Sequence, residues 1–211
     1  MSATDATARL TARIRALLSG PRPLAIAQVG EPILRRQCLD VPADLDRGLL
    51  AELFAAMRET MHAAPGVGLA APQIGLPLRL AVVEDPATVP APVATARDRW
   101  PLPFLVVMNP RYRRLGHELA SWYEGCLSVP ALQGVVERHG CVELSYLDED
   151  FAPVVERFTG WAARIVQHET DHTNGTLYLD SVLTRSLSTQ DHYVEHWSGA
   201  DLQPARDALG F

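Results

Sequence analysis

The run WAARIVQHETDH, residues 161–172, limits the fold more than any other part of this chain. Thr159 is of a type that caps helix starts, and Asn174-Gly175 of a type that ends helices in a left-handed turn, so residues 161–172 read as a helix. Its first half is apolar almost all round, and such a helix must be covered on every side, here by sheets. The second half carries His168, Glu169 and His172. Imidazoles at i and i+4 leave one helix face about a turn apart, so both can hold one metal ion. Glu169 sits beside the first of them, where its carboxylate can serve a water at that centre without ligating the ion. Two histidines still need a third protein ligand, and Cys126 in Glu124-Gly125-Cys126-Leu127-Ser128 offers a thiolate. Metal, water and adjacent base together make a hydrolase.

The rest of the chain supplies the cover. Leu49, Leu50, Leu53, Phe54, Met57 and Met61 recur at helical spacing within residues 43–64, and Pro65-Gly66 ends that helix. Short apolar runs at 78–83 and 104–108 read as strands, with further strands at 135–137, 142–147 and 154–158. Asp148-Glu149-Asp150 turns between the last two. Residues 85–103, rich in Pro and Ala and without periodicity, read as a surface excursion. At the N-terminus Leu10, Ile14, Leu17 and Leu18 form one apolar face among Arg9, Arg13 and Arg15. A docked helix ended by Ser19-Gly20-Pro21 is expected there, in preference to an organelle transit peptide.

These elements define an α+β fold, with antiparallel or mixed sheets packed around a central metal-binding helix and helices at both ends. Without a dividing linker, residues 1–211 are expected to form a single domain, with 1–20 as the docked helix and 184–211 as a helical tail. A net charge of −6 argues against a general grip on nucleic acid. The tail, with Arg185 and Arg206 against Asp191, Glu195, Asp201 and Asp207, is acidic and suits packing on its own domain, Tyr193 and Trp197 forming its buried stripe. Cys38, Cys126 and Cys141 are an odd number at unrelated spacings, which points to a reducing compartment where a ligating thiolate survives. No apolar run approaches a membrane span.

Among metallohydrolases, a metzincin-like pattern runs from His168 through Gly175 but puts Tyr178 where a third histidine belongs. A thermolysin-like enzyme would take a downstream acid, and Glu195 is at a conceivable distance, yet its neighbours Asp191, His192 and His196 suggest a solvated face. Residues 66–75, GVGLAAPQIG, imitate a dinucleotide fingerprint, but a helix precedes them and Pro72 blocks one from following. Their glycines instead suit close backbone approach by a ligand.

Three blocks, Gly66-Val67-Gly68-Leu69-Ala70-Ala71-Pro72-Gln73, Glu124-Gly125-Cys126-Leu127-Ser128 and His168-Glu169-Thr170-Asp171-His172, stand in the order found in peptide deformylases. The chain resembles that family over residues 29–180, and Thr159-Gly160-Trp161-Ala162-Ala163 with the Pro-rich excursion resembles its organellar-like branch, found also in bacteria. The resemblance implies a hydrolase that removes formyl from the N-terminal formyl-methionine of new polypeptides and releases formate. It implies Cys126, His168 and His172 as ligands of one divalent metal, ferrous iron natively, with zinc, nickel or cobalt as replacements. Glu169 becomes the general acid and base, and the Gln73 amide with the Leu127 N–H the oxyanion donors. Val67, Trp122, Trp161 and Ile165 become the methionine pocket, with Val67, Gly68 and Gly125 beside the peptide and Glu124 paired with Arg138 bracing the ligand loop. Gln133 departs from the Arg that many members carry near the peptide. N-formylmethionyl peptides are then the partners, in a bacterial cytoplasm rather than an organelle matrix, with at most transient proximity to the ribosome and no direct contact with nucleic acid or membrane. The alternative is a catalytically silent member that binds nascent peptides or an inhibitor. Glu169 and Gln73, both present, argue against it.

Overall fold

The computed structural model describes residues 3–211. Helix α1 (Ala3–Leu18) lies on α2 (Arg47–Ala63), with Ile14 fully buried and Leu10, Leu17 and Leu18 half-buried against the same core. The Asp46 side chain caps α2 by accepting from the Leu49 N–H at 2.8 Å, and the six apolar positions read from the sequence are all buried. Strands follow as β1 (Gly68–Ala70), β2 (Leu80–Asp85), β3 (Leu102–Arg114), β4 (Leu119–Cys126), β5 (Val129–His139), β6 (Cys141–Leu147) and β7 (Pro153–Thr159). A five-stranded sheet runs in the order β1-β2-β3-β6-β7, and a smaller one is β4-β5-β8, with β8 at Ser188–Thr189. Every pairing between these strands is antiparallel.

Helix α4 (Gly160–Thr173) packs against strands of both sheets, which explains its lack of a polar first half. Thr159 occupies the cap position in extended conformation but makes no side-chain capping bond. At the other end Gly175 is left-handed, and a Cβ there would run into the backbone of Arg35 and Arg36. The helix is therefore stopped where a neighbouring segment crosses it.

Two segments differ from the sequence reading. Residues 85–103 are not a loose excursion: α3 (Ala91–Ala96) forms within them and buries Val93. Arg99 holds Asp85 through two bonds of 2.8 and 2.9 Å, and Arg97 donates to the carbonyls of Ser198 and Gly199. One anchor closes the segment on itself through Asp85 and Arg99 and the other ties Arg97 to the tail, and at separations of 14 and about 100 residues neither leaves a local periodicity. The tail, in turn, is a set of short pieces: α5 (Gln190–His192) runs into a π-helical turn at Tyr193–Trp197, and α6 (Gln203–Leu209) follows. The Tyr193 ring lies 5.0 Å from that of Tyr123, and Trp197 joins the same cluster, although both remain only half-buried. Leu202 and Ala205 are the tail's buried residues in that cluster. None of the described helices is long and apolar enough to cross a membrane.

Candidate metal centre

Two elements bring the ligand candidates together. Helix α4 presents His168 and His172, and Cys126 arrives at the end of β4, where the register against β5 shifts between Glu124 and Cys126. Such an irregularity turns a side chain out of the alternating pattern and re-aims it. Ligand atoms of Cys126, His168 and His172 all lie within 4.8 Å of one another, and Cys126 Sγ is 3.2 Å from His172 Nε2. No other His, Cys, Asp or Glu cluster of this kind occurs among the described residues. The donor set fits one divalent ion, since two imidazoles and a thiolate suit zinc, iron and related metals.

Proton placement in this geometry agrees. Burial, with His168 and then Arg138 adding to it, keeps His172 well below the usual imidazole range, so it is a neutral donor. Burial opposes charge on His168 as well, but its bonds to Cys126 and Glu124 outweigh that and raise it. His168 Nδ1 lies 2.9 Å from Glu124 Oε2, which leaves Nε2 for the centre.

Around this cluster is a cleft of about 670 Å³. Gln73, 1% exposed, is anchored by its side-chain oxygen, which accepts from the Ala70 N–H at 2.8 Å. Its amide nitrogen is thereby turned toward Cys126 Sγ at 3.6 Å and Ser128 Oγ at 3.2 Å. Glu169 is buried with Oε2 unpartnered, and burial pushes its carboxyl up to about 7. The space a side chain at Gly68 would need is taken by this carboxylate. Gly66 similarly accommodates the tip of Leu127, and Gln133 lies over Gly125.

Val67, Gly68, Gln73, Glu124, Gly125, Leu127, Trp161, Ile165, His168 and Glu169 all line the cleft. Trp122 does not; it packs beneath the Arg97 guanidinium, 5.3 Å from its ring centre. Tyr178 stacks on His168 at 6.2 Å, but its hydroxyl donates to the Leu132 carbonyl, and Glu195 is an exposed partner of His196. Neither completes the ligand set. The sequence reading did not find Arg97, Arg99, Arg164, Gln190 or Tyr193, which also line the cleft. Only Arg164 gave a signal, as a charge within the apolar half of a buried helix.

Comparison with known proteins points the same way. The family model described as polypeptide deformylase matches residues 23–187. The chain is 51% identical to peptide deformylase 3 of Streptomyces avermitilis over 207 residues, covering 98% of this chain and 92% of that one. It is 50% identical to peptide deformylase 1 of Streptomyces coelicolor over 202 residues, covering 96% and 93%. Among solved structures, the Met-Ala-Ser-bound class I type b peptide deformylase of Acinetobacter baumannii superposes with a TM-score of 0.68 at 37% identity, over 75% of this chain and 98% of that one.

Proposed function

The chain belongs to the polypeptide deformylase family, and we propose that its Cys126, His168 and His172 hold the single divalent metal ion of that hydrolase, ferrous iron in the native protein. The enzyme removes the N-formyl group of formylated peptides and releases formate. A divalent ion held by these ligands acts as a Lewis acid and brings the pKa of a water toward neutrality.

The remaining work falls to the protein's own groups. Glu169 takes the proton of the attacking water at a carboxylate oxygen and passes it to the departing amine. Its unpartnered Oε2 inside the cleft supports this role, because a carboxylate oxygen with no hydrogen-bond partner in the protein can take up a proton and return it. The Gln73 amide N–H and the Leu127 backbone N–H donate to the oxygen that becomes negative as the formyl carbon is attacked. Gln73 is supported by its anchored oxygen, which directs the donor without reorganisation. Val67, Trp161 and Ile165 form the methionine pocket, and backbone at Val67 and Gly125 pairs with the substrate as an added strand. The acidic tail gives no grip on ribosomal RNA, which supports at most transient ribosome contact, and the bacterial relatives support a cytoplasmic site of action.

The observation that carries the reading is a buried, unpartnered carboxylate one residue from a Cys/His/His cluster inside a cleft. Glu169→Ala tests it through formate release from a formyl-Met tripeptide, with metal content measured in parallel. Retained metal with a loss on the order of 10²–10⁴-fold is expected. Near-normal turnover would assign the proton transfers to another group.

A further inference from the structure

We propose that Arg164 is a positioning residue of the metal centre, fixing the helix that carries His168 and His172 against the strand that carries Cys126. The inference rests on the reading of those three residues as ligands. Arg164 is 4% exposed and lies one turn before His168 on α4. Its guanidinium reaches three groups of the β4–β5 hairpin: Nη1 donates to Glu124 Oε1 at 2.5 Å and to the Val136 carbonyl at 3.0 Å, and Nη2 donates to the Ala120 carbonyl at 2.6 Å. The Trp161 ring, 5.6 Å from the guanidinium carbon, backs it on the helix side.

Glu124 is the shared anchor. One of its oxygens receives Arg164, the other meets His168, and Cys126 follows two residues later on the same strand. Arg138 also holds Glu124, at 2.6 and 2.9 Å, but it belongs to β5 and spends its third nitrogen on Asp171, near the far end of α4. It therefore ties down the helix end beyond His168, while Arg164 ties down the end before it. Two ligands ride on the helix and one on the strand, so the separation of these elements sets the Cys126 to histidine distances. A metal site tolerates only a few tenths of an ångström, about ±0.2 Å, in such distances. Losing three bonds at one end of α4 lets His168 shift relative to Cys126, even though neither ligand has been touched.

The test compares Arg164→Met, which removes the fork but keeps the length, with Arg164→Lys, which keeps one cation. Thr60→Val serves as a stability control, because it deletes a buried hydroxyl on α2 that accepts from the Leu24 N–H at 2.9 Å. Each protein is loaded with cobalt(II), its visible absorption is recorded, and the rate at which a chelator strips the ion is followed. Arg164→Met should release cobalt about 10-fold or more faster, the usual cost of losing a group that orients a ligand, with an altered ligand-field spectrum. Arg164→Lys should fall between it and wild type, and it carries the test should the methionine variant fail to fold. Thr60→Val should melt earlier yet release cobalt at the wild-type rate. An Arg164 variant that also melts earlier but keeps the wild-type release rate and spectrum overturns the proposal. Failure of wild type to take up one cobalt per chain would overturn the ligand assignment itself, and the proposal with it.

Discussion

Replacing Gly68 by Ala should disable the enzyme without removing any group that does chemistry. Gly68 lies in β1 opposite Val83, and its backbone is not left-handed, so alanine meets no conformational strain there. What it meets is Glu169. A Cβ at position 68 would lie 2.6 Å from Cδ and 2.7 Å from Cγ of that residue, and would overlap Oε1. Carbon atoms in contact normally sit about 3.5–4.0 Å apart, so the carboxyl must withdraw by roughly 1 Å. It has nowhere prepared to go, since Glu169 is buried and its Oε2 has no hydrogen-bond partner to receive it. Misplacing a reacting group by about 1 Å costs on the order of 10²-fold in rate. That factor is equivalent to about 2.7 kcal/mol in the barrier. Overpacking should also cost about 1–3 kcal/mol of stability, visible as a lower melting temperature. The assay is formate release beside metal analysis, with Gly140→Ala as the control, because a Cβ there meets only ordinary contacts of 3.5 Å and beyond. If Gly68→Ala kept its metal and its full turnover, the placement of the Glu169 carboxylate would not matter, and the acid/base role argued from that placement would be wrong.

Three further outcomes are expected. Cys126→Ala should purify with little metal and no activity, because three protein ligands leave no spare; full occupancy by elemental analysis would remove Cys126 from the ligand set. Gln73→Leu should stay folded and metal-loaded while kcat falls about 10²–10³-fold, and an unchanged kcat with a raised KM would make Gln73 a binder of the ground state instead. Cys38, 5% exposed, should resist alkylation in the folded protein, since burial pushes its thiol up to about 11 despite the opposing field of Arg79. Relative to an ordinary thiol of 9.0, that lowers the thiolate fraction near pH 8 about 100-fold. Mass spectrometry of iodoacetamide-treated native protein showing Cys38 modified as fast as in urea would refute it.

Periodicity made much of the scaffold legible. The apolar spacing of α2 and the stop at Pro65-Gly66 needed only helix geometry, and the burial of Leu49, Leu50, Leu53, Phe54, Met57 and Met61 follows from it. Strand β4 was missed because its burial runs from exposed Leu119 through half-buried Ala120, Ser121 and Trp122 to adjacent buried Tyr123 and Glu124, leaving no clean alternation to read. At the centre, His168 and His172 were fixed by the local helix repeat, and their spacing alone places them on one face. Cys126 could be offered as their third partner from thiolate chemistry and from the resemblance of the three blocks, but no local spacing joined it to them.

The sequence by itself determined the identity and local order of the reacting groups, because those depend on covalent spacing within single elements. Tertiary structure alone decided how they are held. Glu124, paired with Arg138 already in the resemblance, proves to be a buried anion that is also shared by Arg164 and His168 from a helix 40 and 44 residues away in the chain. Gly68 turns out to be small so that a side chain 101 residues further on can fit beside it. Arg97 joins residues 85–103 to the tail through carbonyls 101 and 102 positions later. Such relations join groups that only folding brings within a few ångströms, where hydrogen bonds and steric exclusion act, and no local pattern records them.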